Sequence, residues 1–370
     1  MDKRMSETPN PAAMTAEVDK NMIVGKPDAD GLVWYNVKNA PFDIYGLYMP
    51  QAEGDFRRMP DDVAAATNNG VKRNARHTAG GRVRFSTNSR RIAVRAKMPY
   101  VTRYPHMALT GSASFDLYVD TPVGSFFGCV YRPPVDFTDG FELTHKFDDS
   151  RERSLTLNFP LYSPVSSLEI GLDAGSTLGG GTKYTGTRLP VVYYGSSITQ
   201  GACASRPGLA YQAIISRRLD VDFINLGFSG NARAELPISA YMAELPMSAF
   251  VSDYDHNAPT PEYLRETHCR LYTTIREKNP DIPYIMLSRP DFTTHPEKDS
   301  IERRRVVEDT FRYARAQGDK HVWYIDGEGI YRGAELDACT VDAAHPTDLG
   351  FMKMADSIGR ILRRAMRNGI

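Results

Sequence analysis

Hydrophobic and polar positions follow two different rhythms along this chain, and the change falls near Leu189. Between Leu32 and Leu172, apolar and polar residues alternate in short runs separated by turn residues, most clearly at 81–87, 92–96, 114–120, 155–159 and 168–172. A period of two sends alternate side chains to one face. Each run therefore predicts a strand, and many short strands with turns between them predict an antiparallel sandwich. Segment 175–186, rich in Gly, Ser and Thr, reads as the joint. Beyond it, apolar runs at 191–194, 221–226, 249–253, 284–288 and 322–325 alternate with helical patterns near 211–219, 261–278, 301–317 and 349–366. Five strands with helices between them predict a parallel, doubly wound sheet whose site lies at the strands' carboxyl ends. The expected organisation is an arm over 1–30, a β-sandwich over 31–185 and an α/β domain over 186–370.

Bulk numbers narrow the class. The 370 residues are 41% hydrophobic and 24% charged, the balance of an ordinary soluble globular protein. Lysine plus arginine equals aspartate plus glutamate at 45 each, so the basic surplus that nucleic acid or an anionic membrane calls for is missing. Apolar runs stay well short of the ~20 residues of a membrane helix. Residues 1–20 are polar and lack the apolar core of a secretory signal, which leads to the expectation of a cytoplasmic protein. Cys129, Cys203, Cys269 and Cys339 are scattered without metal-ligand spacing and read as free thiols.

Candidate chemistry begins where the run at 191–194 ends, in Gly195-Ser196-Ser197-Ile198-Thr199-Gln200-Gly201. A strand, a tight turn of small residues and a following helix present a serine at the sheet's carboxyl edge, near the positive end of the helix. Far downstream, Asp342-Ala343-Ala344-His345-Pro346 precedes the last helical pattern. A serine hydroxyl is a poor nucleophile at neutral pH and needs a base within hydrogen-bond reach. Ser197 is the candidate nucleophile, His345 the base, and Asp342 the group that orients the imidazole and steadies its cation.

These residues carry a family resemblance. The chain resembles the SGNH/GDSL hydrolases, whose four blocks supply Ser, Gly, Asn and His. Block one is Gly195-Ser196-Ser197-Ile198, with Ser196 where the usual block has aspartate. Block two is Asn225-Leu226-Gly227-Phe228-Ser229-Gly230-Asn231, block three is reduced to Asp253-Tyr254-Asp255-His256-Asn257, and block four holds Asp342 and His345. Ser114-Phe115-Asp116-Leu117-Tyr118 is similar to the Gly-x-Asp-Leu-Tyr motif of a branch with a β-rich N-terminal domain. The resemblance implies a flavodoxin-like three-layer domain and carboxylic-ester hydrolysis. It also implies an oxyanion hole from the Ser197 and Gly230 amides and the Asn257 side chain.

Around that core the readings stay open. Arg289 and Asp291 follow a predicted strand at the active edge, where they contact substrate or form a salt-bridged loop. His256 is a further candidate for substrate contact, or for supporting the Asn257 loop. Asp253, Asp255 and His256 lack further ligands in sequence, so no metal and no cofactor is expected. His77, His106, His145, His268, His295 and His321 have no chemical partner in the sequence and read as structural. The expected partner is a small acylated substrate, by analogy an acetylated carbohydrate, with a homo-oligomer left open. Two alternatives stand beside the esterase: an acyltransferase using the same site, and a non-enzymatic carbohydrate-binding protein with a degenerate hydrolase domain.

Overall fold

The structure, a computed structural model, describes residues 27–290 and 298–367. The antiparallel part is a sandwich. One sheet has the order β1-β9-β4-β7, from β1 (Leu32–Asn36), β4 (Arg91–Lys97), β7 (Gly140–Lys146) and β9 (Ser167–Asp173). The other has the order β10-β3-β8-β5-β6, with β2 (Asp43–Tyr45) beside β3. Its strands are β3 (Arg82–Thr87), β5 (Asp116–Thr121), β6 (Gly124–Val130), β8 (Arg153–Asn158) and β10 (Gly179–Gly180). Val83 and Phe85 of β3, Ile92 and Val94 of β4, Leu155 and Leu157 of β8 and Leu168, Ile170 and Leu172 of β9 fill one core. The period-two pattern sends these residues inward from both sheets.

Strands do not run throughout this part. α1 (Asp61–Thr67) and α2 (Asn69–Asn74) interrupt them, and a short α3 (Leu109–Ser112) follows β4. The glycine-rich joint is not a free tether either. β10 within it pairs with β3, and the Thr185 and Gly186 amides donate to the Asp220 side chain and carbonyl.

The second part is a five-stranded parallel sheet of order β12-β11-β13-β14-β15. Its strands are β11 (Val191–Gly195), β12 (Phe223–Gly227), β13 (Ala249–Asp253), β14 (Tyr284–Leu287) and β15 (Val322–Ile325). The helices are α4 (Ser197–Gln200), α5 (Tyr211–Leu219), α6 (Leu236–Ala243), α7 (Pro261–Lys278), α8 (Lys298–Ala316) and α9 (Asp348–Arg367). Strand β11 is apolar on both faces because both are covered. Val191 and Tyr193 pack with Ile215 of α5 and Ile358 of α9, whereas Val192 and Tyr194 pack with Ile238 of α6 and Leu271 of α7. Met59, Ala64, Val71 and Ala75 join this second cluster, so α1 and α2 lie on the parallel sheet rather than in the sandwich core.

Side chains buried between the two parts hold them in register. Asp116, the aspartate of the Asp-Leu-Tyr motif, is fully buried. Its Oδ2 accepts from Arg206 Nη1 and from the Gly208 amide, both at 2.9 Å. Arg82 pairs with Asp222. Among the described residues, no helix is long and apolar enough to cross a membrane.

Candidate active site

Strand β11 ends at Gly195, where a Cβ would lie 2.1 Å from the Asp253 carbonyl oxygen. Only glycine lets the chain turn there. Ser196 then takes extended backbone and caps α4, its Oγ accepting from the Ile198 amide at 3.1 Å. The residue that replaces the usual aspartate thus supplies an N-cap. Gly201 ends the short helix with φ of 107°. Asn225 and Gln212 both donate to the Thr199 carbonyl at 2.7 Å, and Tyr162 of the sandwich part donates to the Ser197 carbonyl at 3.2 Å. Ser197, 7% exposed, sits at the first helical position.

The base loop orders itself. Asp342 Oδ1 accepts from the Ala344 amide at 3.2 Å and the His345 amide at 2.8 Å. That local turn leaves Oδ2 facing the ring, 2.8 Å from His345 Nδ1. Nε2 is then 2.9 Å from Ser197 Oγ. Burial pushes the Asp342 carboxyl up, but the bonds from the His345 amide and ring outweigh it and hold the group below the usual carboxylate range. The base side is more open than the nucleophile side, with the His345 and Asp342 side chains 23% and 37% exposed.

Gly230 adopts φ of 68°, the left-handed region glycine enters freely. Neither its amide nor that of Ser197 donates a hydrogen bond among the described residues. Asn257 lies in a single 3-10 turn after β13, half-buried, its Oδ1 3.4 Å from the Ala232 amide of the same block-two loop. The structure therefore brings Ser197, Gly230 and Asn257 to one edge.

That loop is gripped from the N-terminal part. Arg58 is 1% exposed, and its guanidinium donates to four backbone carbonyls, His77 at 2.9 Å, Asn74 at 2.6 Å, Asn225 at 3.0 Å and Gly227 at 2.7 Å, with a longer contact of 3.5 Å to Asn225 Oδ1. Burial without a carboxylate partner brings its pKa down to about 9. Asn74 Nδ2 donates to the Ser229 carbonyl and Asn68 Nδ2 to the Asn231 carbonyl, at 3.1 and 3.3 Å. Gln200 bridges the other side. Its Oε1 accepts from the Ser229 amide at 3.0 Å, while its Nε2 donates to His77 Nδ1 and the Leu161 carbonyl. Burial, with Arg58 and Arg73 nearby, pushes His77 down to about 3, so the ring is neutral and accepts.

Other sequence candidates fall differently. His256 turns onto Asp255, with Nδ1 2.9 Å from Oδ1. Arg289 donates its amide to Asp255 Oδ2 and Nη2 to the Ala343 carbonyl in the base loop. Both thus brace loops, and neither bonds to Ser197 or His345. Asp291 lies outside the described residues. His106, read from sequence as structural, stands at the site: its ring centroid is 5.3 Å from that of His345, and its carbonyl accepts from Cys203 Sγ at 3.3 Å. The four cysteines are free thiols. Sequence reasoning missed Arg58, Asn68, Asn74, Gln200 and His106. Of these only Gln200 had a signal, lying in the same Gly195–Gly201 stretch as Ser197.

The fold and this constellation define a hydrolase class, and comparison with known proteins agrees. The GDSL-like Lipase/Acylhydrolase family profile matches residues 188–363, and the profile of the N-terminus of Esterase_SGNH_hydro-type proteins matches 32–178. The chain belongs to the SGNH/GDSL-type esterases, in the branch with the β-rich N-terminal domain. A structure from Bacteroides ovatus described as a GDSL-like lipase is similar at 26% identity and TM-score 0.81, covering 91% of this chain and 98% of that one. The salicylyl-acyltransferase SsfX3 of a tetracycline biosynthetic pathway aligns at 21% identity and TM-score 0.74, over 92% and 98% of the two chains. A family two carbohydrate esterase from Cellvibrio japonicus aligns at 13% and 0.58, over 91% and 98%. These last two speak to the fold alone. No curated protein matches the chain.

Proposed function

We propose that the protein hydrolyses carboxylic esters through an acyl-enzyme on Ser197. The observation that carries this reading is the line from Ser197 Oγ to His345 Nε2 at 2.9 Å and from His345 Nδ1 to Asp342 Oδ2 at 2.8 Å. His345 takes the hydroxyl proton on Nε2 as Oγ attacks the ester carbonyl carbon. Asp342 steadies the imidazolium. The carbonyl oxygen, now negative, receives the Ser197 and Gly230 amides and the Asn257 amide group, each such donor being worth ~3 kcal/mol in the transition state. The imidazolium gives its proton to the departing alkoxide, which leaves as the alcohol. Water then repeats the sequence on the acyl-serine and releases the acid.

The substrate class we propose is an O-acetylated carbohydrate. Support comes from the architecture shared with structures described as family two carbohydrate esterases. The test is release of acetate from acetylated oligosaccharides, followed by mass spectrometry, with Ser197→Ala as control. Loss of 42-dalton units, about the mass of a ketene group, is expected only with the active protein. Hydrolysis of aryl acetates with all acetylated sugars untouched would discard the carbohydrate and keep the esterase. Transfer of the acyl group to an added alcohol, outrunning hydrolysis, would point to the acyltransferase instead.

A further inference from the structure

Three ligating atoms stand together beside the serine. His106, Cys203 and His345 each offer one, and all three lie within 4.8 Å of one another. They come from three separate segments: the loop before α3, the turn after α4, where Cys203 holds φ of 72°, and the base loop. Cys203 is buried at 9% exposure while His106 and His345 are partly open, so the cluster runs from the edge of the core to the mouth of the site.

We propose that these residues form a binding site for a zinc-class divalent cation, and that its occupation reversibly silences the enzyme. The inhibition rests on the reading of His345 as the base; the binding does not. Two imidazoles and one thiolate are a donor set that suits zinc and disfavours calcium and magnesium, which take oxygen ligands. With zinc–nitrogen bonds near 2.0 Å and zinc–sulfur bonds near 2.3 Å, tetrahedral ligand atoms stand about 3.5 Å apart. The cluster closes on an ion by side-chain movements on the order of 1 Å. Binding replaces the Cys203 S–H bond with an S–Zn bond and releases that proton to solvent. A metal on the His345 ring removes the lone pair that accepts the serine proton or turns the ring from Oγ. Ser197 is then left without its base.

A second group of potential ligands, Asp253, Asp255 and His256, is equally close-packed. Its central carboxylate already has partners: Asp255 Oδ1 accepts from the His256 amide and ring, and Oδ2 from the Arg289 amide. It also lacks sulfur, which separates the two groups spectroscopically.

The experiment titrates the whole protein with cobalt(II), reading the thiolate-to-cobalt charge-transfer band, alongside zinc titration of p-nitrophenyl acetate hydrolysis with EDTA reversal. One cobalt per chain with the band is expected. Zinc should inhibit and EDTA restore. Cys203→Ser should lose the band, and both Cys203→Ser and His106→Gln should raise the half-inhibitory zinc concentration ~10-fold or more, since disturbing even a ligand's neighbour costs that much. Circular dichroism checks each fold, and His106→Gln carries the test alone if the serine variant does not fold. A folded native protein without the band, or a band and inhibition unchanged in the variants, overturns the proposal. If the band appears and moves with the variants but no ester is turned over, the metal site stands and the esterase reading falls.

Discussion

Ser197 and His345 meet through turns that order themselves: Ser196 caps the helix behind one, and Asp342 binds two amides of the other. The loop carrying Gly230 has local bonds of its own, the Gly227 amide to Asn225 Oδ1 and Asn231 Nδ2 to the Ser229 carbonyl, but it depends on more than these. It is held from outside, by Arg58, Asn68 and Asn74 of the N-terminal part and by Gln200, which His77 steadies in turn. The reactive pair is thus built chiefly by local turns on the parallel sheet, with one bond from Tyr162 of the sandwich part, whereas the oxyanion side is a joint property of both parts. One consequence is that damage to the two should look different. Substitutions in the first should remove chemistry and spare the fold, whereas substitutions in the second should cost stability and turnover together.

The largest effect should come from the reactive pair. Ser197→Ala is expected to lower turnover ~10⁴-fold or more, and His345→Ala ~10³-fold or more. Both should keep the native melting temperature within a few degrees, read by steady-state ester hydrolysis beside thermal denaturation. Arg58→Met comes next. It leaves buried carbonyls of Asn74, His77, Asn225 and Gly227 without this donor, at about 1–3 kcal/mol each. The expected loss is on the order of 4 kcal/mol or more in denaturant unfolding, with turnover falling in whatever fraction stays folded. Unchanged stability would mean the N-terminal grip is dispensable.

Asn257→Ala should lower turnover ~10²-fold with little change in the Michaelis constant, because an oxyanion bond tightens only in the transition state. Normal turnover with weakened binding would move Asn257 to substrate contact. The smallest effect concerns acid. His77 and His268 are held neutral by burial, at about 3 and about 4. Below the ~6.5 of an exposed histidine the unfolded chain binds protons that the native state refuses, so stability should fall as pH drops toward those values. His77→Gln should flatten part of that fall, as followed by chemical unfolding at a series of pH values.

What the sequence disclosed follows the same division. The strand-turn-serine block and the Asp-x-x-His turn were legible because their partners lie within a few residues. The five parallel strands were legible because both faces are covered and the runs are continuously apolar. Helix α2 was not, since Asn68, Asn69, Gly70 and Asn74 favour caps and turns over helix, and α1, at seven residues, is too short to show a helical period. Packing of Ala64 and Val71 against the parallel sheet decides their conformation. Arg58 reaches Gly227 across 169 positions, and His106 stands beside His345 with 239 positions between. No local pattern marks such pairs.

The central claim, a serine made nucleophilic by His345, is tested most directly by locating its adduct. The protein is treated with a fluorophosphonate probe, digested and sequenced by tandem mass spectrometry. One phosphonyl group on Ser197 is expected, absent in Ser197→Ala and formed far more slowly in His345→Ala. An adduct on Ser196, or labelling that proceeds equally without His345, would contradict the account.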